Sequence, residues 1–219
     1  MATNLTCQAA SFGACGIRVC RLGPTGIPTP GANNLYVTGA PIEVKATWQV
    51  KAGNRFEQRN ACGGVCTVVQ QQDDIQGLTL TMQLCQLDAE LMEILSGGTV
   101  VNVGGNDIGH MVPPLGQQQA NGVSMDVWTQ NQKGGSQDPT YPYIHWVYPR
   151  VTWRAGDDTF NEGILNVPYT GVCYENPNFE DGPFEEWTGL PNGVTAIRAW
   201  QLETSIPASV CGYQALPHS

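Results

Sequence analysis

The sequence predicts an all-β domain, a β-sandwich or barrel, with one short flanking α-helix. Apolar and polar residues alternate with a period of two in several separate stretches. Gly (26) and Pro (15) are plentiful between them, supplying turns. Only one segment changes to helical spacing, with Leu87, Leu91, Ile94 and Leu95 on one face. At 219 residues the chain suits one sizeable core, and no repeat or linker divides it.

Residues 1–14 are small and polar and read as a flexible N-terminal arm. Residues 15–204 read as a single β domain with long loops, and 205–219 as a C-terminal extension. Segment 16–22 alternates like a strand and enters a Gly/Pro-rich loop at 23–34. The composition of that loop and of the arm suits segments that order on assembly. The clearest strand places Ile42, Val44, Ala46, Trp48 and Val50 on one face and Glu43, Lys45, Thr47 and Gln49 on the other. Ala52-Gly53-Asn54 predicts a turn into a polar strand at 55–60, forming a hairpin. A strand at 65–71 and a turn at 73–77 follow. Leu78, Leu80, Met82 and Leu84 then alternate with Thr79, Thr81 and Gln83.

In the helix, Asp88 suits the N-cap, Glu90 complements the positive end of the dipole, and Gly97-Gly98 provides the stop. Further strands are expected at 99–103, 122–129 and 141–153, with weaker signals at 163–174 and 194–203. Polar, Gly-rich loops are expected at 104–109, 116–122 and 131–138. Glu175, Glu180, Asp181, Glu185 and Glu186 make 175–186 an acidic surface loop.

Composition removes several functional classes. Nineteen acids against ten bases give a net charge of −9, which argues against a surface built to grip phosphate. Charged residues are only 13%, against about 25% in ordinary soluble domains, so part of the surface is expected to be covered by self-association. The N-terminus shows no basic and apolar signal pattern, and no stretch approaches the roughly 20 apolar residues of a membrane span. The eight cysteines are then expected to be reduced, and the Asn4-Leu5-Thr6 sequon carries little meaning.

No catalytic residue is assigned. The histidines are His110, His145 and His218, and no Gly-x-Ser-x-Gly elbow accompanies them. His145 lies in an aromatic strand and reads as a packed or hydrogen-bonded ring. Cys15-x4-Cys20 and Cys62-x3-Cys66 fit zinc spacing only loosely. Buried free thiols are the preferred reading, so no metal or cofactor is expected, and metal binding by these four stays open. The 104–109 glycine stretch lacks the Lys-Ser/Thr ending of a phosphate loop. Asp73-Asp74 and Asp157-Asp158 lack the alternating oxygen ligands of calcium loops.

Asn60-Ala61-Cys62-Gly63-Gly64-Val65-Cys66 leads into Asp74-x-x-Gly77-Leu78-x-Leu80-x-x-x-Leu84-Cys85-x-x-Asp88-x-Glu90-Leu91, closing on Leu95-x-Gly97-Gly98. Preceded by Ile42-Glu43-Val44 and Ala52-Gly53, this unit resembles the major tail tube proteins of siphoviruses, particularly those of actinobacterial hosts. The likeness is best over residues 15–100, and the order of its pieces carries it. It implies a structural virion protein whose sandwich assembles as hexameric rings stacked into a tail tube. Strands from each subunit would join an inner barrel around a lumen through which genomic DNA passes non-specifically. It further implies tape measure, tail terminator and tail tip proteins as partners, assembly in the host cytoplasm, and no membrane partner. No appended immunoglobulin-like domain is expected.

Under that resemblance the lumen-facing candidates are Glu43, Lys45, Thr47, Gln49, Thr79, Thr81 and Gln83. Six copies of a chain at −9 would build a wall that DNA does not adhere to, within a screening length of about 8–10 Å. The alternative reading is another virion or surface β-sandwich, a capsid decoration or glycan-binding module. Its sugar groove would be lined by Tyr141, Tyr143, Trp146, Tyr148 and Trp153.

Overall fold

The computed structural model describes residues 10–29, 33–39, 41–84, 87–114, 121–156, 167–188, 190, 193–207 and 212–213. The strands are β1 (Ala10–Arg21), β2 (Leu35–Thr38), β3 (Pro41–Lys51), β4 (Arg55–Arg59), β5 (Val65–Gln70) and β6 (Asp74–Leu84). The helix α1 (Ala89–Ser96) is followed by β7 (Thr99–Val103), β8 (Asn106–Met111), β9 (Val123–Lys133) and β10 (Ser136–Gln137). The last are β11 (Tyr143–Ala155), β12 (Val167–Tyr174), β13 (Ala199–Glu203) and β14 (Gly212–Tyr213). The protein is all-β with one short helix.

The main sheet runs β14-β2-β1-β9-β11-β12-β6-β3, with β10 beside β9 and β13 beside β11. All its ladders are antiparallel. β11 changes partner along its length: Tyr143–Val147 lie against β13, and Arg150–Ala155 against β12. A register shift between Tyr148 and Val151, at Pro149, accompanies the change. The two halves of the sheet enclose one core. Ile17, Val19, Met125 and Val127 meet Leu78, Leu80 and Met82 there, and Leu91, Ile94 and Leu95 of α1 join them. Each such side chain contributes at most about 1.5–3 kcal/mol through the apolar area it buries. β1 and β3 approach each other without sharing a ladder.

The helix forms as its sequence dictates. Asp88 accepts from the backbone N–H groups of Glu90 and Leu91 at 3.1 Å each. Gly97 and Gly98 end the helix at φ 79° and 94°. Leu87 is the exception to its predicted face, being exposed before the first turn.

Several local expectations need correction. β1 begins at Ala10, inside the stretch read as an arm, and Tyr213 returns beside β2 and packs on the core. Ala52-Gly53-Asn54 does not fold β3 back onto β4. β3 pairs with β6 and β4 with β5, so 41–84 is one long ribbon interrupted midway. The interruption is stapled across the strands: Gly53 N–H donates to Asp73 Oδ1, and Gln71 N–H to the Asn54 carbonyl, both at 2.9 Å. The true turn is at 60–64, where Asn60 Oδ1 accepts from the N–H groups of Cys62 and Gly64. Gly104-Gly105 makes a hairpin turn whose second strand, β8, takes up residues expected to be loop. β9 runs on to Lys133 and turns at Gly134-Gly135 into β10. Residues 1–9, 115–120, Asp157-Asp158 and His218 lie outside the described residues.

Gly98 joins α1 to β7 where a Cβ would sit 2.1 Å from the Met111 carbonyl oxygen, at a φ that side chains rarely adopt. Gly98→Ala is expected to destabilise the fold by about 1–3 kcal/mol, read as a lower urea midpoint with unchanged slope.

Candidate functional surfaces and a buried charge network

The seven residues expected to face a lumen share one outward face. Glu43 is opposite Gln83, Lys45 opposite Thr81, and Thr47 opposite Thr79. Glu43, Lys45, Thr47, Gln49 and Thr81 are exposed, while Thr79 and Gln83 are half-buried. Gln49 Nε2 donates to Thr79 Oγ1 at 2.7 Å. Their inward-facing neighbours Leu78, Leu80, Met82 and Leu84 are buried, so the alternation resolves into two faces as read.

The face is wider than sequence reasoning found. β12 places Thr170 beside Thr81 and Val172 beside Thr79. β11 then adds Arg154 beside Thr170, Thr152 beside Val172, and Arg150 beside Tyr174. A groove of about 700 Å³ opens at one end, between Gln49, Gly77, Arg150, Thr152, Tyr174 and Glu175. Arg150 and Arg154 were missed because the bulge at Pro149 inverts the alternation of β11. Tyr148 and Val151, three residues apart, both face the core.

β3 is the last strand of the sheet, and no described strand pairs with its outer edge. Beyond the 52–54 break the ribbon continues as β4 and β5, whose residues are exposed on both faces. Phe56, Val65, Val68 and Val69 on it, and Val50 and Ile75 at its base, are all open to solvent. A second hairpin, β7–β8, exposes Val103, Ile108 and Met111. An isolated two-stranded ribbon is marginal in water, and the described residues leave apolar side chains uncovered on both its sides.

The opposite side of the β1-β9-β11 half-sheet is covered by the segment expected to be an acidic surface loop. Phe179, Trp187 and Val194 are buried there with Val147. Asn176 donates to the carbonyls of Gly26 and Pro149 at 2.8 and 3.0 Å, tying the 22–29 turn and β11 to this cover. The correction has a clear cause: the acids are solvent-side punctuation around Phe179 and Trp187, which supply the burial.

Beneath the cover lies a charge network. The Arg18 guanidinium is 2% exposed and donates to Asp126 Oδ2 at 2.9 Å. It also makes a bidentate pair with Glu186, at 3.0 and 2.5 Å. It lies over the rings of Trp128 and Phe184, 5.0 and 4.3 Å from their centroids. His145, fully buried and stacked on Trp128 at 4.2 Å, bonds Asp126 Oδ1 through Nε2 at 2.9 Å. Its Nδ1 is 3.6 Å from Glu203. Burial alone would lower the His145 pKa, but the hydrogen bond to Asp126 and the nearby carboxylates of Glu203 and Glu186 raise it above its ordinary value. Burial disfavours the Asp126 carboxylate, yet Arg18 and then His145 outweigh that and hold its pKa low. Glu203 is lowered mainly by the neighbouring His145 ring.

Asp126, His145 and Glu186 bring ligand atoms within 4.8 Å of one another, the spacing of a metal site. Arg18 already occupies the cation's place, consuming Asp126 Oδ2 and both Glu186 oxygens. The arrangement is therefore a clamp between cover and sheet.

Cys15 and Cys20 lie on β1, whereas Cys62 is at the ribbon tip and Cys66 on β5. Cys20 is buried and its thiol is pushed up to about 12 by burial, as a packed thiol should be. Cys62 and Cys66 are exposed, contrary to the buried-thiol expectation. The described residues gather no three metal ligands around any of these cysteines. Among the aromatic residues read as a sugar platform, Tyr148 and Trp153 are buried in the main core and are closed to a ligand. No family model and no curated protein matches this chain.

The network predicts a stability window. His145, with a raised pKa, contributes fully below about 6.5 and loses that contribution as pH rises through the raised value. Asp126 and Glu203, with lowered values, contribute fully above about 3.8 and 4.5 and lose it as pH falls through the lowered values. Stability from the clamp is expected to peak at about pH 5–6.5. His145→Gln should flatten the alkaline side of the urea-midpoint profile. An identical profile in variant and parent would refute the assignment. Asp126→Ala, which leaves Arg18 to Glu186 alone and removes the partner of His145 Nε2, should cost about 3–5 kcal/mol.

Proposed function

We propose that this chain is a structural subunit that polymerises into a tube, the tail tube of a long-tailed bacteriophage, and that it performs no catalysis. The observation that carries the reading is the outer edge of β3. It is an 11-residue strand without a described partner on that side, and it continues into a ribbon with apolar residues on both faces. Backbone donors and acceptors on such an edge seek another strand, and monomeric proteins blunt edges of this kind. A neighbouring copy that adds its own sheet there would extend β3-β6-β12 into a shared barrel. The polar face would then line the lumen and the apolar cores would lie outside it.

The ribbon serves the second contact this assembly needs, between successive rings. No described residue covers its side chains Phe56, Val68 and Val69, and another molecule would give them a covered environment. Six subunits per ring, the tape measure, terminator and tip proteins as partners, and the virion as location follow from the resemblance around residues 42–98.

Replacing residues 55–70 with a two-residue Asn-Gly turn joins the two halves of the ribbon below its apolar section. The shortened subunit is expected to keep its melting temperature within a few degrees but to lose tube formation in negative-stain electron microscopy. The intact subunit should form rings or tubes under the same conditions. An intact subunit that stays monomeric at high concentration would overturn the proposal.

A further inference from the structure

We infer that the polar face formed by β3, β6, β12 and the second half of β11 makes weak, sequence-independent contact with the phosphodiester backbone of duplex DNA. The inference deepens the proposed function, since it says how the proposed lumen wall meets its cargo.

All ten of the chain's basic residues lie among the described residues, and half of them are committed elsewhere. Arg18 is clamped by Asp126 and Glu186, and Arg21 pairs with Glu93. Arg55 and Arg59 share Glu57 on the ribbon. Arg198 is held between the rings of Trp48 and Trp146, at 5.2 and 5.1 Å from their centroids. Of the five that remain, Lys45, Arg150 and Arg154 lie on this one face, and none of the three has an ion pair among the described residues.

Arg150 stands at the groove. Its Nε is buried and has no hydrogen-bond partner among the described residues, at the wall of the 700 Å³ groove. Lys45 and Arg154 occupy opposite ends of one cross-strand row, Lys45–Thr81–Thr170–Arg154. With strands about 4.8 Å apart, those two backbones are about 14 Å from each other. Between them the surface offers hydroxyl and amide groups, which bond phosphate oxygens without reading sequence. Among the described residues the acids on this face are Glu43, the next outward residue to Lys45 on β3, and Glu175, at the groove rim beside Arg150. Among the described residues the face therefore carries three cations against two acids, in a chain whose total is −9. Charge complementarity favours a linear polyanion as its occupant. The chain-wide charge and the small number of cations keep the contact weak.

Fluorescence anisotropy of a labelled 30-base-pair duplex against dispersed subunits tests this. Three neutralised phosphates give a salt slope of about −2.7, so affinity should fall about 40-fold between roughly 50 and 200 mM salt. Lys45→Gln, Arg150→Gln and Arg154→Gln should each reduce that slope by about 0.9, leaving a fall of about 12-fold. Lys133→Gln, at the distant end of β9, should leave the slope unchanged. Melting curves confirm that each variant is folded. Absence of binding at about 20 mM salt, or a slope indifferent to all three substitutions, overturns the inference. So does a change in sedimentation without a change in DNA binding, which would assign the face to an acidic surface of a second copy. Salt-insensitive binding of a neutral glycan in the groove would overturn it as well. Dispersed subunits suffice for this measurement, so its failure leaves the tube proposal standing, and absence of tubes leaves this result intact.

Discussion

The Arg18 guanidinium, removed from water beneath a covering segment, decides which surfaces of this protein remain free. A buried cation is tolerated only when its charge and its N–H groups are met. Asp126 meets it from the neighbouring strand, Glu186 from the cover, and the rings of Trp128 and Phe184 close its faces. Lifting the cover would leave Arg18 facing Asp126 alone and expose Trp187 and Phe179. The outer side of β1, β9 and the first half of β11 is thus consumed internally. What the fold leaves open is the other half of the sheet, the polar face of β3, β6 and β12.

That half also carries the unpaired edge and the ribbon, and the three features share one physical origin. β3 and β6 each run 11 residues, longer than the core they help enclose. Val44 and Ala46 pack on the core, but Trp48 and Val50, continuing the same alternation, are exposed. The pattern persists after the layer behind it has ended. Trp48 finds a partner within the chain in Arg198, whereas Val50 has no layer over it among the described residues, and a neighbour in an assembly can supply one.

This bears on how much the sequence revealed. The β6 alternation and the α1 cap and stop were legible because each depends on neighbours within one turn or one strand. Asp88, Gly97 and Leu80 behave as their local chemistry requires. The pairing of β3 with β6 was not legible, because the 52–54 kink and a hairpin turn draw on the same residue types. Only Asp73 and Gln71, about twenty positions away, distinguish them. The cover was hidden by composition, since its five acids outnumber the two aromatic residues that bury it. His145 was correctly placed as a hydrogen-bonded ring, but Arg18, Asp126 and Glu186 come from three distant segments and nothing local joins them.

Net charge shows the same separation between composition and placement. A total of −9 argues for repulsion of DNA, and at distances beyond the screening length of about 8–10 Å little of that field survives. Within contact range the local set of charges governs, and folding has sorted them unevenly. Internal pairs and aromatic stacks hold half of the cations, and most of the unpaired remainder faces outward on one half-sheet. Long-range repulsion and short-range attraction can then coexist on one subunit. For a polyanion moving along a wall, as the proposed tube would require, a few separated cations among hydroxyls and two acids suit better than either a basic patch or an acidic one. Each contact is weak enough to break, and its neighbour lies about 13–14 Å away, further than the charge of either reaches through salt water.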